Sequence, residues 1–140
     1  MRKIKVFISQ AMKGLSDEKI KENRDKLFNR FKSSVIKYSK EPIEVELIDS
    51  FIDEDPPKGV NIPVWYLSKS LEKLATADVL VAEFSAVHSS GCSIELRTVN
   101  VYDIPRIIIK PVNILMRKDD TERVLNDILE YQESEDYPKE

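Results

Sequence analysis

Short, continuous apolar runs alternate along this chain with longer segments in which apolar residues recur every three or four positions. The clearest run covers residues 79–84, where every residue except Glu83 is apolar. A strand that is apolar on both sides needs a cover on both faces of its sheet, as in a parallel sheet flanked by helices. The alternation of such strands with amphipathic helices therefore predicts an α/β fold and excludes all-α and all-β architectures.

Four strands and four helices are predicted from these patterns. The predicted strands cover residues 4–9, 43–48, 79–84 and 104–109, with a short fifth strand at 112–116. The predicted helices cover residues 17–38, 63–75 and 93–102, and a last segment after a cap at Asp119 or Asp120. Right-handed crossovers make the first and third strands neighbours. We therefore predict a single-domain, flavodoxin-like or Rossmann-like α/β fold with a parallel sheet of four or five strands and helices on both faces.

The length of 140 residues suits one domain with its own core. We place this domain at residues 1–131 and expect a polar, frayed tail at residues 132–140.

Charge and cysteine content exclude several classes of function. The net charge is −3 and basic residues are spread out, so no nucleic-acid partner is expected. No apolar run approaches the ~20 residues that span a bilayer, and the chain begins with a strand pattern rather than a signal peptide. Cys92 is the only cysteine, so no internal disulfide can form and a cytoplasmic location is expected. His88 is the only histidine, and no acid is placed to orient it, so we predict no metal, no cofactor and no Cys–His nucleophile.

The segment 77–97 carries the strongest functional signal. A buried strand leads into a loop of small residues, and a helix begins near Ser93 with Glu95 in its first turn. Backbone N–H groups at a helix start bind anions, and a carboxylate beside them can act on the bound molecule. The helix dipole alone would also favour Glu95 at that position. Because ligands of such sheets bind at the switch point, loops 10–15 and 85–92 should border one crevice.

Three segments in order resemble the nucleoside 2-deoxyribosyltransferase superfamily, and most of all its deoxynucleoside 5′-monophosphate N-glycosidase-like branch with small bacterial and phage relatives. They are residues 6–14 (VFISQAMKG), 77–83 (ADVLVAE) and 89–96 (SSGCSIEL). Together with the order of elements, the resemblance covers about residues 3–110. It implies that Glu95 is the catalytic glutamate that attacks the anomeric carbon of a deoxyribose. The residues that it implies for the substrate or its phosphate are Ser9, Lys13, Gly14, Ser89, Ser90 and Gly91.

Some positions depart from the family pattern. Ser70 stands where many members carry a catalytic aspartate, Phe7 where a tyrosine is common, and Ala11 where a loop serine is common. A substitute acid would have to come from another carboxylate, although these are more readily explained as solvated side chains; the candidates are Asp49, Asp53, Glu54, Asp55 and Glu83. Trp65 either stacks on the base, alone or with Tyr66, or packs at a helix start.

The resemblance implies cleavage or transfer of the N-glycosidic bond of a deoxynucleoside or nucleotide. The alternative is a non-catalytic nucleotide-binding or regulatory module with a degenerate active site. A third interpretation is cleavage of an NAD-like nucleotide, which no particular residue favours. The expected partners are a small-molecule nucleoside or nucleotide and further copies of the chain. A homodimer or higher oligomer is typical of the superfamily, and the segment 131–137 is long enough to reach a neighbouring subunit.

Overall fold

The computed structural model describes residues 1–110 and 115–139, and within them four strands form one parallel sheet. The strands are β1 (Arg2–Ser9), β2 (Ile43–Leu47), β3 (Val79–Glu83) and β4 (Arg106–Ile109). The helices are α1 (Asp17–Tyr38), α2 (Ile62–Leu74), α3 (Ser90–Val101) and α4 (Lys118–Glu133), and a 3₁₀ turn (Phe84–Ala86) follows β3.

The strand order is β2-β1-β3-β4, with every pairing parallel. Strand β1 lies beside β3 in a register that opposes Val6 to Val79 and Ser9 to Ala82. The chain therefore reverses its direction of travel across the sheet between β2 and β3, and the switch point lies between β1 and β3. This order confirms the predicted flavodoxin-like fold.

Two hydrophobic cores cover the two faces of the sheet. Helices α1 and α4 pack on one face, where Phe31 and Ile128 are fully buried against Ile4 and Val81. Helices α2 and α3 pack on the other face, where Leu74 and Val99 meet Phe7 and Leu80; Phe7 therefore belongs to the core. Replacing a fully buried aromatic such as Phe31 with alanine would cost about 3–5 kcal/mol.

Side-chain caps set two of the helix starts. Ser16 accepts a 3.2 Å hydrogen bond from the Lys19 N–H and caps the start of α1. Asn61 accepts a 3.1 Å hydrogen bond from Val64, and Pro63 occupies the first turn of α2.

Two other helix starts differ from the prediction. Helix α3 begins at Ser90 rather than near Ser93, because Ser89 caps it by accepting a hydrogen bond from the Cys92 N–H at 3.4 Å. Glu95 consequently lies in the second turn of α3 and not in the first. Helix α4 begins after Arg117, so Asp119 and Asp120 lie in its first turn, where they complement the helix dipole instead of capping it.

The end of the chain is folded onto the domain. The Tyr137 hydroxyl donates a 2.6 Å hydrogen bond to buried Asp78, and the Tyr137 ring meets Tyr131 edge-on at 5.2 Å. The expectation of a frayed end is therefore wrong as far as Tyr137, because the buried carboxylate of Asp78, just before β3, holds it. Residues 112–114 of the predicted fifth strand lie outside the described residues, and Leu115 and Met116 are not in a strand.

Across the described residues, no helix combines the length and apolar character that crossing a bilayer requires.

Candidate active site

Ser9 and Glu95 meet at the switch point of the sheet. Ser9 is the last residue of β1 and opposes Ala82 of β3, and its hydroxyl donates a 2.7 Å hydrogen bond to Glu95 Oε1. Side chains alternate along β1, so Phe7 and Ser9 point toward the α2 and α3 face while Ile8 points to the other. Both side chains are buried, with 1% of Ser9 and 8% of Glu95 exposed.

The Glu95 carboxyl is held in an apolar setting. Burial raises its pKa above the ordinary value of 4.5, and the hydrogen bond from Ser9 acts in the opposite direction by favouring the ionised form. Perturbed carboxyls of this kind cluster at catalytic sites.

The start of α3 presents its backbone beside this carboxylate. Ser89 is half-buried at the N-cap, and Ser90 and Gly91 are exposed in the first turn. A Cβ added to Gly91 would meet no atom within 4 Å, so packing inside the chain does not require a glycine there. The open surface over this turn, with N–H groups directed outward, suits an anionic group such as a phosphate.

Lys13 and Gly14 lie on an exposed turn that follows β1. The Leu15 N–H donates a 3.2 Å hydrogen bond to Met12 O and closes this turn, in which Gly14 has a φ of 81°. Only glycine adopts such a φ without strain, so the turn itself accounts for Gly14. The described residues show no hydrogen bond or ion pair that joins Lys13 to Glu95.

The two predicted residues on α2 are not joined to this centre. Ser70 is half-buried, and no hydrogen bond links it to Glu95 in the described chain. Trp65 is half-buried and packs edge-on against Tyr66 at 5.0 Å, while the Lys69 ammonium lies 5.6 Å from its ring centroid. Local packing at the start of α2 thus accounts for the position of Trp65.

Cys92 completes the buried cluster. It is 2% exposed, and burial raises the pKa of its thiol above the ordinary value of 9.0, while hydrogen bonding with Ser89 and Ser9 acts in the opposite direction. A buried thiol with a raised pKa stays protonated near neutral pH and is a poor nucleophile.

In the acidic loop, Asp49 is held by local contacts. Asp49 accepts hydrogen bonds from the Phe51 N–H at 3.0 Å and from Arg24 at 3.3 Å. The Phe51 N–H, with help from Arg24 and Lys73, holds the pKa of Asp49 below its ordinary value, so Asp49 stays ionised and is unsuited to donate a proton.

Sequence reasoning gave no role to two buried polar residues beside this loop. Gln10 directly follows Ser9 and is 4% exposed, and Arg24 is 9% exposed on α1. The signal in the sequence was the interruption of the apolar face of α1 by Arg24.

A cavity of about 770 Å³ lies at the opposite end of the sheet, between Tyr102, Arg106 and Tyr131. Because ligands of parallel sheets bind at the carboxyl ends of the strands, this cavity is not the candidate site. No group of three or more His, Cys, Asp or Glu side chains is placed to hold a metal ion in the described ranges.

Comparison with known proteins bears on the fold. No protein-family model matches the chain, and no curated protein matches it. Among solved structures, the chain is similar to a conserved protein from Enterococcus faecalis V583, with a TM-score of 0.50 and 13% sequence identity. The alignment covers 96% of this chain and 77% of that one, which supports the α/β fold and nothing beyond it.

Proposed function

We propose that this protein cleaves or transfers the N-glycosidic bond of a deoxynucleoside or deoxynucleotide, with Glu95 as the nucleophile or charge-stabilising carboxylate. The observation that carries the proposal is the buried Glu95 carboxylate, hydrogen-bonded to Ser9 at the switch point of the sheet. The choice of this reaction is supported by the resemblance of residues 6–14, 77–83 and 89–96 to the nucleoside 2-deoxyribosyltransferase superfamily.

The proposed chemistry uses these groups as follows. Departure of the base leaves a sugar with oxocarbenium character, and an ionised carboxylate on one face of the ring stabilises or traps that charge. The start of α3 and Lys13 would hold the 5′-phosphate or the sugar, which fixes the anomeric carbon relative to Glu95. Water or a second base then takes the sugar from the carboxylate.

Release of free base from a panel of deoxynucleoside 5′-monophosphates tests the proposal. We expect the wild type to release base and Glu95→Gln to be slower by about 10³-fold or more, because the nucleophile is lost. Glu133→Gln, at an exposed position that ends α4, is the matched control and should retain the wild-type rate. Calorimetry on the same proteins should show that Glu95→Gln still binds nucleotide.

A second function is favoured by one observation. Ser70 has no carboxylate and Asp49 is held ionised by its neighbours, so neither of these two residues supplies a proton to the leaving base. A non-catalytic nucleotide-binding module would keep the pocket without this donor. Equal nucleotide binding by wild type and Glu95→Gln, with no base released by either, would decide for the binding module.

The assembly and location belong to the same proposal. We propose a homodimer or higher oligomer, as the superfamily resemblance implies, in the cytoplasm, where a lone buried cysteine needs no oxidising partner. Light scattering on the eluting protein at high concentration measures its mass in solution. A strict monomer there would contradict the proposed oligomer.

A further inference from the structure

The cavity of about 770 Å³ at the amino ends of the strands is acidic, and none of its lining residues belongs to the site around Glu95. Its volume lies in the range of about 300–1,000 Å³ that is usual for small-molecule sites. Two arginines also line it, so four carboxylates against two cations leave an excess of two negative charges, which attracts cations and repels phosphates. The carboxylates are those of Asp103, Asp127, Glu130 and Asp136.

Both arginines of this cavity are engaged by other groups. Arg106 Nη2 donates a 2.8 Å hydrogen bond to Asn100 Oδ1, and Arg123 Nη2 lies 3.5 Å from Asp120 Oδ1. Within the described ranges, no cation lies at ion-pair distance from any of the four cavity carboxylates. Their charges therefore remain available to a cation from outside the chain.

The local structure around these carboxylates disfavours their charges. Asp127 and Glu130 lie three positions apart on α4, so they share a helix face and repel each other. Asp103 follows Tyr102, the last cap of α3, where the helix dipole disfavours another negative charge. The φ of Asp103 is 55°, in the left-handed region that glycine adopts more readily than aspartate. A cation bound in the cavity offsets these unfavourable terms.

Tyr131 adds a neutral hydrogen-bond acceptor to the wall of the cavity. Its side chain belongs to the core, with 8% of the residue exposed, yet its hydroxyl oxygen is still reached from the cavity and has no hydrogen-bond partner in the described chain. Burial, together with the charges of Asp78 and Asp136, raises the pKa of Tyr131 above its ordinary value of 10.0. The hydroxyl therefore stays protonated near neutral pH, and its lone pairs can accept an ammonium N–H. The ring of Tyr102, 68% exposed at the rim, offers a second aromatic face to a cation.

The spacing of the carboxylates distinguishes a metal ion from an organic cation. No three His, Cys, Asp or Glu side chains of the described chain are close enough to hold one metal ion, so the negative charge of the cavity is spread along its wall. We propose that this cavity binds a linear aliphatic polyamine, in which ammonium groups are separated by methylene chains. One ammonium group pairs with Asp127 and Glu130 and another with Asp103, and the methylenes lie against the tyrosine rings. This site is independent of the reaction proposed for Glu95.

Calorimetric titration of the wild type at low ionic strength, with no nucleotide present, tests the proposal. The probes are spermidine, n-butylamine, which has a single ammonium group, and Mg²⁺, which has charge without methylenes. We expect spermidine to bind at least about tenfold more tightly than either of the other two, because each further ammonium group adds a hydrogen bond between charged groups. Absence of spermidine binding, or binding of Mg²⁺ or n-butylamine as tight as that of spermidine, overturns the proposal.

Two matched pairs of substitutions on α4 locate the binding. Asp127→Asn combined with Glu130→Gln, both at exposed positions, should weaken spermidine at least about tenfold. Asp119→Asn combined with Glu122→Gln removes the same charges from the same helix outside the cavity and should leave the affinity unchanged. Tyr131→Phe keeps the ring and should weaken spermidine about threefold to tenfold through the lost acceptor. Equal weakening by the two pairs shows attraction by net charge alone and overturns the site, as does an affinity that Asp127→Asn with Glu130→Gln leaves unchanged.

Discussion

The Ser9 hydroxyl lies 2.7 Å from Glu95 Oε1, although the two residues are 86 positions apart in the chain. The contact joins the end of β1 to the second turn of α3 and places a hydrogen-bonded carboxylate at the sheet's switch point. Burial raises the pKa of Glu95, and the Ser9 hydrogen bond partly offsets this effect by favouring the ionised carboxylate.

Ser9→Ala should move the acidic limb of the rate profile to higher pH. Removing the hydrogen bond leaves burial as the main influence on Glu95, so its pKa rises further and the ionised form is lost at a higher pH. The rate of base release measured across the acidic range checks this. Ser33→Ala, at an exposed position on α1, should leave the limb in place. An unchanged limb in Ser9→Ala would show that the contact does not control Glu95 ionisation.

Glu95→Gln should stabilise the protein at neutral pH by about 0.5–2 kcal/mol while it abolishes base release. The folded-state pKa of Glu95 is raised, so between 4.5 and that pKa the folded protein binds more protons than the unfolded chain. The free energy of unfolding of the wild type therefore falls as pH rises through this window, and the glutamine variant lacks this loss. Urea unfolding at several pH values measures the difference, which should grow with pH and then level off. A less stable variant at pH 7 would contradict the raised pKa.

Tyr137→Phe should lower the free energy of unfolding by about 1–3 kcal/mol, because it leaves a buried carboxylate short of a donor. Asp78 is fully buried and accepts hydrogen bonds from the Lys5 N–H at 2.7 Å and the Tyr137 hydroxyl at 2.6 Å. Chemical unfolding at neutral pH measures the loss. Tyr102→Phe, at a side chain that is 68% exposed, is the control and should have no effect.

The Tyr137 hydroxyl should also make the free energy of unfolding depend on pH in the alkaline range. Burial and the neighbouring Asp78 raise the pKa of Tyr137 to about 12. Since the folded pKa lies above the unfolded value, the hydrogen bond stabilises the fold fully below about pH 10 and is lost as pH rises through about 12. Wild type and Tyr137→Phe should therefore converge in stability at strongly alkaline pH. A constant difference would show that the hydroxyl does not titrate with folding.

Ser89→Ala should weaken substrate binding more than it slows the chemical step. Ser89 caps α3 through a long hydrogen bond of 3.4 Å. Loss of this bond should lower the free energy of unfolding by about 0.5–1 kcal/mol, the low end of the range for N-cap side chains. It also loosens the turn that faces the phosphate, so KM should rise with kcat retained. Ser89→Thr keeps a capping hydroxyl and should restore both stability and KM. A fall in kcat at unchanged KM would place Ser89 in the chemical step instead.

The arrangement of strands and helices followed from local patterns. Buried strands are apolar on both sides and amphipathic helices repeat every 3.6 residues, so short stretches of sequence contain enough information to identify both. The right-handed crossover then limits the sheet to a few orders, and the observed order β2-β1-β3-β4 is the one expected. The closeness of the end of β1 to the loop before α3 followed as well, since both lie at the carboxyl ends of neighbouring strands.

Contacts between distant residues depended on the tertiary structure. Helix α3 begins after a cap at Ser89 and not near Ser93, which moves Glu95 to the second turn. The Ser9 contact with Glu95, the Arg24 contact with Asp49 and the Tyr137 contact with Asp78 each join elements far apart in the chain. Periodicity reports which face of an element is buried and not which polar atom it meets there. Hydrogen bonds require atoms to lie within about 3 Å, a distance that only the packed helices and sheet determine.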